Sequence, residues 1–88
     1  MAYQVRFKSS AAEAIRKLPK SQQRRVIAKV EALAETPHPP GSKKLHGSDD
    51  LFRIRVGDYR IIYAVLDQKL LILVVRVGHR KDVYRTGL

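Results

Sequence analysis

The sequence predicts a single small α+β domain: one strand, two helices and three further strands, with the last three forming an antiparallel meander and the helices packed on one face. Three observations predict it. The chain has 88 residues, enough for one domain spanning 1–88 and too few for two. Its apolar periodicity runs from two at the start, through helical spacing, and back to strand-like runs. The connections between those last runs are short, which suits antiparallel neighbours and excludes parallel crossovers.

Tyr3, Val5 and Phe7 alternate with Gln4, Arg6 and Lys8, the pattern of a half-buried strand. Ser10 and Glu13 form a capping box that predicts a helix start, and Ala11, Ala14, Ile15 and Leu18 recur behind it at helical spacing. Pro19 interrupts this helix and suits the first position of the next. The apolar stripe of that second helix is Val26, Ile27, Val30, Leu33 and Ala34. Arg16, Lys17, Arg24, Arg25 and Lys29 fall on the solvent sides. Residues 36–42, TPHPPGS, form a loop by composition, and Lys43 and Lys44 follow it. The final strands are expected at Leu51 to Val56, Tyr59 to Leu66 and Leu70 to Val77. Gly57-Asp58 reads as a two-residue hairpin turn, and Asp67-Gln68-Lys69 as the next connection.

Lys and Arg number 18 against 8 Asp and Glu, a net charge of +10. Charge of that density attracts polyanions: nucleic acid first, then an acidic protein, then a membrane surface. The chain has no cysteine, which excludes a disulfide staple or a thiolate site and suits the reducing cytoplasm. His38, His46 and His79 lack zinc-ligand spacing. There is no glycine-rich phosphate loop, nucleophile elbow or Cys-His pair. Carboxylates are scarce where the cations gather, so two-metal or two-carboxylate hydrolysis finds little support, and no metal or cofactor is expected. The opening MAYQVRFKSS alternates in polarity, unlike a signal peptide. The longest apolar run, Leu70 to Val75, is too short to cross a bilayer, so no membrane role is expected.

The most informative stretch is LFRIRVGDYRIIY, residues 51–63. If Gly57-Asp58 is the whole loop, Val56 lies opposite Tyr59, Arg55 opposite Arg60 and Ile54 opposite Ile61. Residues directly opposite share a face, as do residues two apart on one strand. Arg53, Arg55 and Arg60 then converge on one side of the sheet, while Phe52, Ile54, Val56, Tyr59, Ile61 and Tyr63 meet the helices. Like charges placed opposite cost a few tenths to about 1 kcal/mol, so a face without a function would intersperse Thr, Glu or Gln. Three guanidiniums offer the planar donor forks that phosphate oxygens need. Arg76 joins them, opposite Arg60, if Leu66 pairs with Leu70. A loop one residue shorter turns Arg76 toward the core, where a charge is costly, so the first register is expected.

The last strand runs into Gly78-His79-Arg80-Lys81-Asp82-Val83-Tyr84. Such a segment can act on a phosphodiester without metal. An arginine can hold charge developing on phosphoryl oxygens, and either His79 or Tyr84 can move a proton. A phenol starts near a pKa of about 10, and neighbouring cations lower it. An imidazole starts near about 6.5 and needs no such help.

The runs KKLHGSDDLFRIRVGDYRIIYAV and VVRVGHRKDVYR, with the opening AYQVRFKSSAAEAIRKLPKSQQRRV, resemble the RelE toxins of the RelE/ParE superfamily of type II toxin–antitoxin systems. The likeness covers nearly the whole chain. It implies a RelE-like fold and a cytoplasmic toxin that inhibits translation. It implies cleavage of mRNA in the ribosomal A site, through attack of a ribose 2′-hydroxyl on the adjacent phosphate. Carried over by motif position, Arg60 and Arg80 match the arginines that act on the phosphate and near the leaving oxygen. Tyr84 matches the functional tyrosine, and His79 stands where the role varies. Arg53 and Arg55 match RNA-contacting positions that are commonly lysines, and Lys43 and Lys44 resemble basic residues that hold RNA or ribosome. Arg76 and Lys81 are grouped with these as RNA-binding cations. Because an arginine stays protonated, neither Arg53 nor Arg55 can serve as a base. The resemblance also implies an acidic antitoxin partner of the RelB kind. Two other functions fit the same likeness: a ParE-type toxin that poisons DNA gyrase, and a non-catalytic module that binds ribosome or RNA.

Overall fold

The computed structural model describes residues 2–47 and 50–79. Strand β1 (Gln4–Phe7) leads into helices α1 (Ser9–Arg16) and α2 (Lys20–Leu33). A two-residue strand β2 (Lys43–Lys44), then β3 (Leu51–Val56), β4 (Tyr59–Leu66) and β5 (Leu71–His79) follow. They form one sheet in the order β1-β5-β4-β3-β2. The expected meander of β3, β4 and β5 is antiparallel throughout. The first strand returns to the far edge and pairs with β5 in parallel, which makes the sheet mixed.

Both helices pack on one face. Helix α1 buries Ala11 and Ile15, and α2 buries Val26, Val30 and Leu33, spacings that keep each set on one helical stripe. Against them stand Ile54 and Val56 from β3, Ile61, Tyr63 and Val65 from β4, and Ile72, Val74 and Val77 from β5. The two helix starts differ from expectation. Lys8, in extended backbone, is the N-cap of α1 and makes no side-chain cap, so the Ser10–Glu13 box does not form. Pro19 is itself the N-cap of α2 rather than its first helical residue. The Gln23 amide donates to the carbonyls of Arg16 and Leu18, satisfying acceptors where α1 gives way to α2.

Tyr63 ties the long loop to this core. It is fully buried, and its hydroxyl donates to the Pro37 carbonyl at 2.8 Å. Burial raises its pKa above the ordinary phenol value, against a lowering from a hydrogen bond with Ser42. The neutral phenol is therefore the form the fold holds. Its stabilisation is complete below the ordinary phenol pKa, about 10, and is lost as pH rises through the raised folded value. Tyr63→Phe is expected to cost about 1 kcal/mol in urea unfolding at neutral pH and to remove this part of the alkaline loss.

The β4–β5 connection corrects one register. Asp67–Lys69 forms a 3-10 turn, and Leu70 closes it in the left-handed region with φ 50°. Leu66 therefore pairs with Leu71 rather than Leu70. Continued regularly, that ladder would turn Arg76 beneath the helices. A β-bulge intervenes: Tyr63 pairs with Val74 but Ile62 with Arg76, which leaves Val75 as the extra residue. The bulge restores Arg76 to the helix-free face, opposite Ile62, while Arg60 lies opposite Gly78.

Candidate nucleic-acid interface

The helix-free face is cationic toward the β3–β4 turn and apolar toward the opposite end. Arg55 pairs with Arg60 and Arg53 with Ile62 on β4, while Lys43 on β2 pairs with Arg53. With Arg76, these groups share one side of the sheet, as their registers require. Leu51, Ala64, Leu66, Leu71 and Leu73 occupy the other half of the same face. Ile62 and Ala64 are buried, at 1% and 7% exposure, yet stand apart from the main core cluster. Ile62 has Arg53 and Arg76 as its two cross-strand partners, and long arginine stems cover apolar surface in this way.

Local geometry orients the cations. Gly57 has φ +60°, and Asp58 is not among the residues with positive φ. This is the type II′ arrangement, which suits the right-handed twist of a hairpin and wants glycine first. The Gly57 carbonyl accepts a 2.7 Å hydrogen bond from Arg55 Nε, holding that exposed side chain over the turn. Arg53 and Arg60 are half-buried, and Lys43 is exposed. The Arg60 Nε atom is shielded from solvent and makes no hydrogen bond, although the residue has other interactions. A small cleft of about 130 Å³ is lined by Gly41, Lys43, Arg53, Ile54, Arg55 and Arg60. Such a cleft can hold phosphate oxygens in bidentate forks, and its arginines, which stay protonated, cannot accept a proton.

Two expected members of the site lie elsewhere. Lys44 pairs with Phe52, on the side that faces the helices. His79 pairs with Tyr59 on that same side, their rings edge to face at 5.9 Å. His79 instead lines a separate cleft of about 280 Å³ with Ser10, Ala11, Ala14, Arg76, Val77 and Gly78. It lies where β1, which pairs only with Leu71–Val74, no longer covers β5. Arg80, Lys81 and Tyr84 lie outside the described residues. Sequence reasoning missed Arg6, whose pairing with Leu73 puts it on the helix-free face. Its alternation with Val5 and Phe7 marked it as outward, but only the position of β1 beside β5 shows which surface it joins.

A two-helix layer on a five-stranded sheet, with guanidiniums gathered on the open face, defines a small α+β domain with one cationic face. Residues 5–84 match the family described as ParE toxin of the type II toxin–antitoxin system parDE. A putative RelE-like toxin protein of Escherichia coli is 40% identical, over 96% of this chain and 92% of its own length. The mRNA interferase toxin RelE of Escherichia coli strain K12 is 32% identical over the same shares. In the crystal structure of the archaeal RelE–RelB complex from Pyrococcus horikoshii OT3, a chain 33% identical superposes with a TM-score of 0.81, covering 91% of this chain and 97% of that one. The chain belongs to the RelE/ParE family of type II toxins, with relatives of the RelE kind.

Proposed function

We propose that this protein is the toxin of a toxin–antitoxin pair and works in the cytoplasm as a ribosome-dependent mRNA endoribonuclease. The observation that carries this reading is the convergence of Arg53, Arg55, Arg60, Arg76 and Lys43 on the helix-free face, in a chain similar to a protein named mRNA interferase toxin. In the proposed reaction the ribose 2′-oxygen forms a bond to the adjacent phosphorus, and the bond from phosphorus to the 5′-oxygen breaks. The 2′-hydroxyl proton leaves to a base, and the departing 5′-oxygen takes up a proton. Arg60 holds the non-bridging oxygens as their charge grows, and preorganised donors of this sort act most strongly where water is excluded. Arg53, Arg55, Arg76 and Lys43 align the strand. Since guanidiniums stay protonated, proton transfer falls to groups other than these arginines. Arg80 and Tyr84 keep the roles that the resemblance gives them. No step needs a metal. An acidic antitoxin of the RelB kind, as in the archaeal complex, is the proposed protein partner.

Cleavage of ribosome-bound mRNA is expected to leave a 2′,3′-cyclic phosphate and a 5′-hydroxyl. A single 2′-deoxynucleotide before the scissile phosphate should abolish it. Primer extension with end-group analysis reads both, and undiminished cutting of the deoxy-substituted message would rule the mechanism out. The match to the ParE description favours a second reading, poisoning of DNA gyrase. That reading predicts DNA breaks and no new RNA ends in the same cells.

A further inference from the structure

We propose that the groove between α2 and the outer edge of β3 is a second phosphate subsite, which holds RNA backbone after it has crossed the arginine face. The inference rests on that face being an RNA-binding surface. The groove has a volume of about 450 Å³ and is lined by Arg25, Ala28, Lys29, Ala32, Arg55 and Val56. Arg55 also lines the cleft that contains Arg53 and Arg60, so one residue borders both. β2 pairs only with Phe52 and Arg53, which leaves Ile54–Val56 beyond the end of that strand. A strand of RNA can therefore pass over Arg55 and round the sheet edge.

The turn brings the two surfaces together. Arg55 Nε donates to the Gly57 carbonyl at 2.7 Å. From α2, the Arg25 guanidinium reaches the same residue so closely that a Cβ on Gly57 would lie 3.1 Å from its Nη1. The bare glycine lets two guanidiniums flank one turn. Lys29 stands four residues after Arg25, so the pair share a helix face about 6 Å apart along the axis, comparable to one nucleotide step. Among the described residues neither forms an ion pair. No carboxylate lines either cleft. Ala28, Ala32 and Val56 give the groove an apolar floor on which sugar faces can rest. Continuity with the arginine face through Arg55 favours RNA over an acidic protein segment.

The test measures binding of the purified protein to 2′-O-methyl RNA, which cannot be cleaved by 2′-oxygen attack. Two lengths are used: a short oligonucleotide that the sheet face alone can hold, and one several-fold longer. Arg25→Gln with Lys29→Gln keeps both stems and removes both charges. The pair should leave the short oligonucleotide unaffected. It should weaken the long one roughly 10- to 30-fold at about 0.1 M salt and make its salt slope shallower by about 1.4, as expected for two lost phosphate contacts. Lys20→Gln with Arg24→Gln removes the same charge at the same spacing from α2 outside the groove and should change little. Unchanged binding of the long oligonucleotide overturns the inference and leaves the groove to an acidic protein. Equal weakening by the Lys20 and Arg24 pair overturns it in favour of bulk charge. If the short oligonucleotide fails to bind, or binds Arg53→Ala with Arg60→Ala as well as the unaltered protein, the reading of the arginine face falls and this inference with it.

Discussion

Arg60→Ala is expected to lower cleavage of ribosome-bound mRNA by about 10²- to 10³-fold while the domain stays folded. That loss is the usual consequence of removing one preorganised donor from a site where negative charge develops. Arg60 faces Arg55 across the β3–β4 ladder and lines the cleft with Arg53 and Lys43. Removing it relieves a like-charge pair that costs a few tenths to about 1 kcal/mol. The melting temperature should therefore stay level or rise as activity falls, a combination that a merely structural arginine would not produce. Arg60→Lys should recover only part of the rate, because an ammonium lacks the planar fork. Single-turnover rates on programmed ribosomes, with thermal melts of the same samples, read both effects. A variant that cuts at the original rate would remove Arg60 from the mechanism.

One residue along the same strand the outcome should reverse. Ile61 is fully buried among the residues beneath the helices, opposite Ile54 on one side and Val77 on the other. Ile61→Ala removes buried methyl groups and leaves a cavity at a cost of about 2–5 kcal/mol. In a domain of this size that lowers the melting temperature by roughly ten degrees or more. The cleavage rate per folded molecule should change far less than in Arg60→Ala, because the arginine face points away from the cavity. Urea titration gives the stability loss, and activity normalised to the folded fraction gives the second quantity. A drop in intrinsic rate matching that of Arg60→Ala would mean that the two faces of β4 are not independent.

Much of the fold was legible in local pattern. The period-two alternation of residues 51–63 and the Gly57-Asp58 turn were enough to place Arg53, Arg55 and Arg60 on one face, because a two-residue loop leaves a hairpin one register. The helical stripes identified what packs on the other side. The capping box at Ser10 misled because Lys8, already in extended backbone, starts the helix before it. At the candidate site, pattern reading placed the three central arginines but not Lys44 or His79, whose faces depend on pairings with distant strands.

Sequence by itself determined the charge, the order of the two helices and four longer strands, and the arginine pair across the first hairpin, since each follows from composition or from residues close along the chain; the two-residue strand at Lys43–Lys44 was not among them. Only the tertiary structure decided which surface Arg6 joins, how Arg76 escapes the core, and that Arg25 meets Arg55 at Gly57. The physical reason is that these depend on long-range partners. A strand edge is filled by whichever segment returns to it, and one left-handed residue at Leu70 shifts the ladder by one position. A bulge at Val75 then reverses that shift because burying a guanidinium costs more than an irregular ladder.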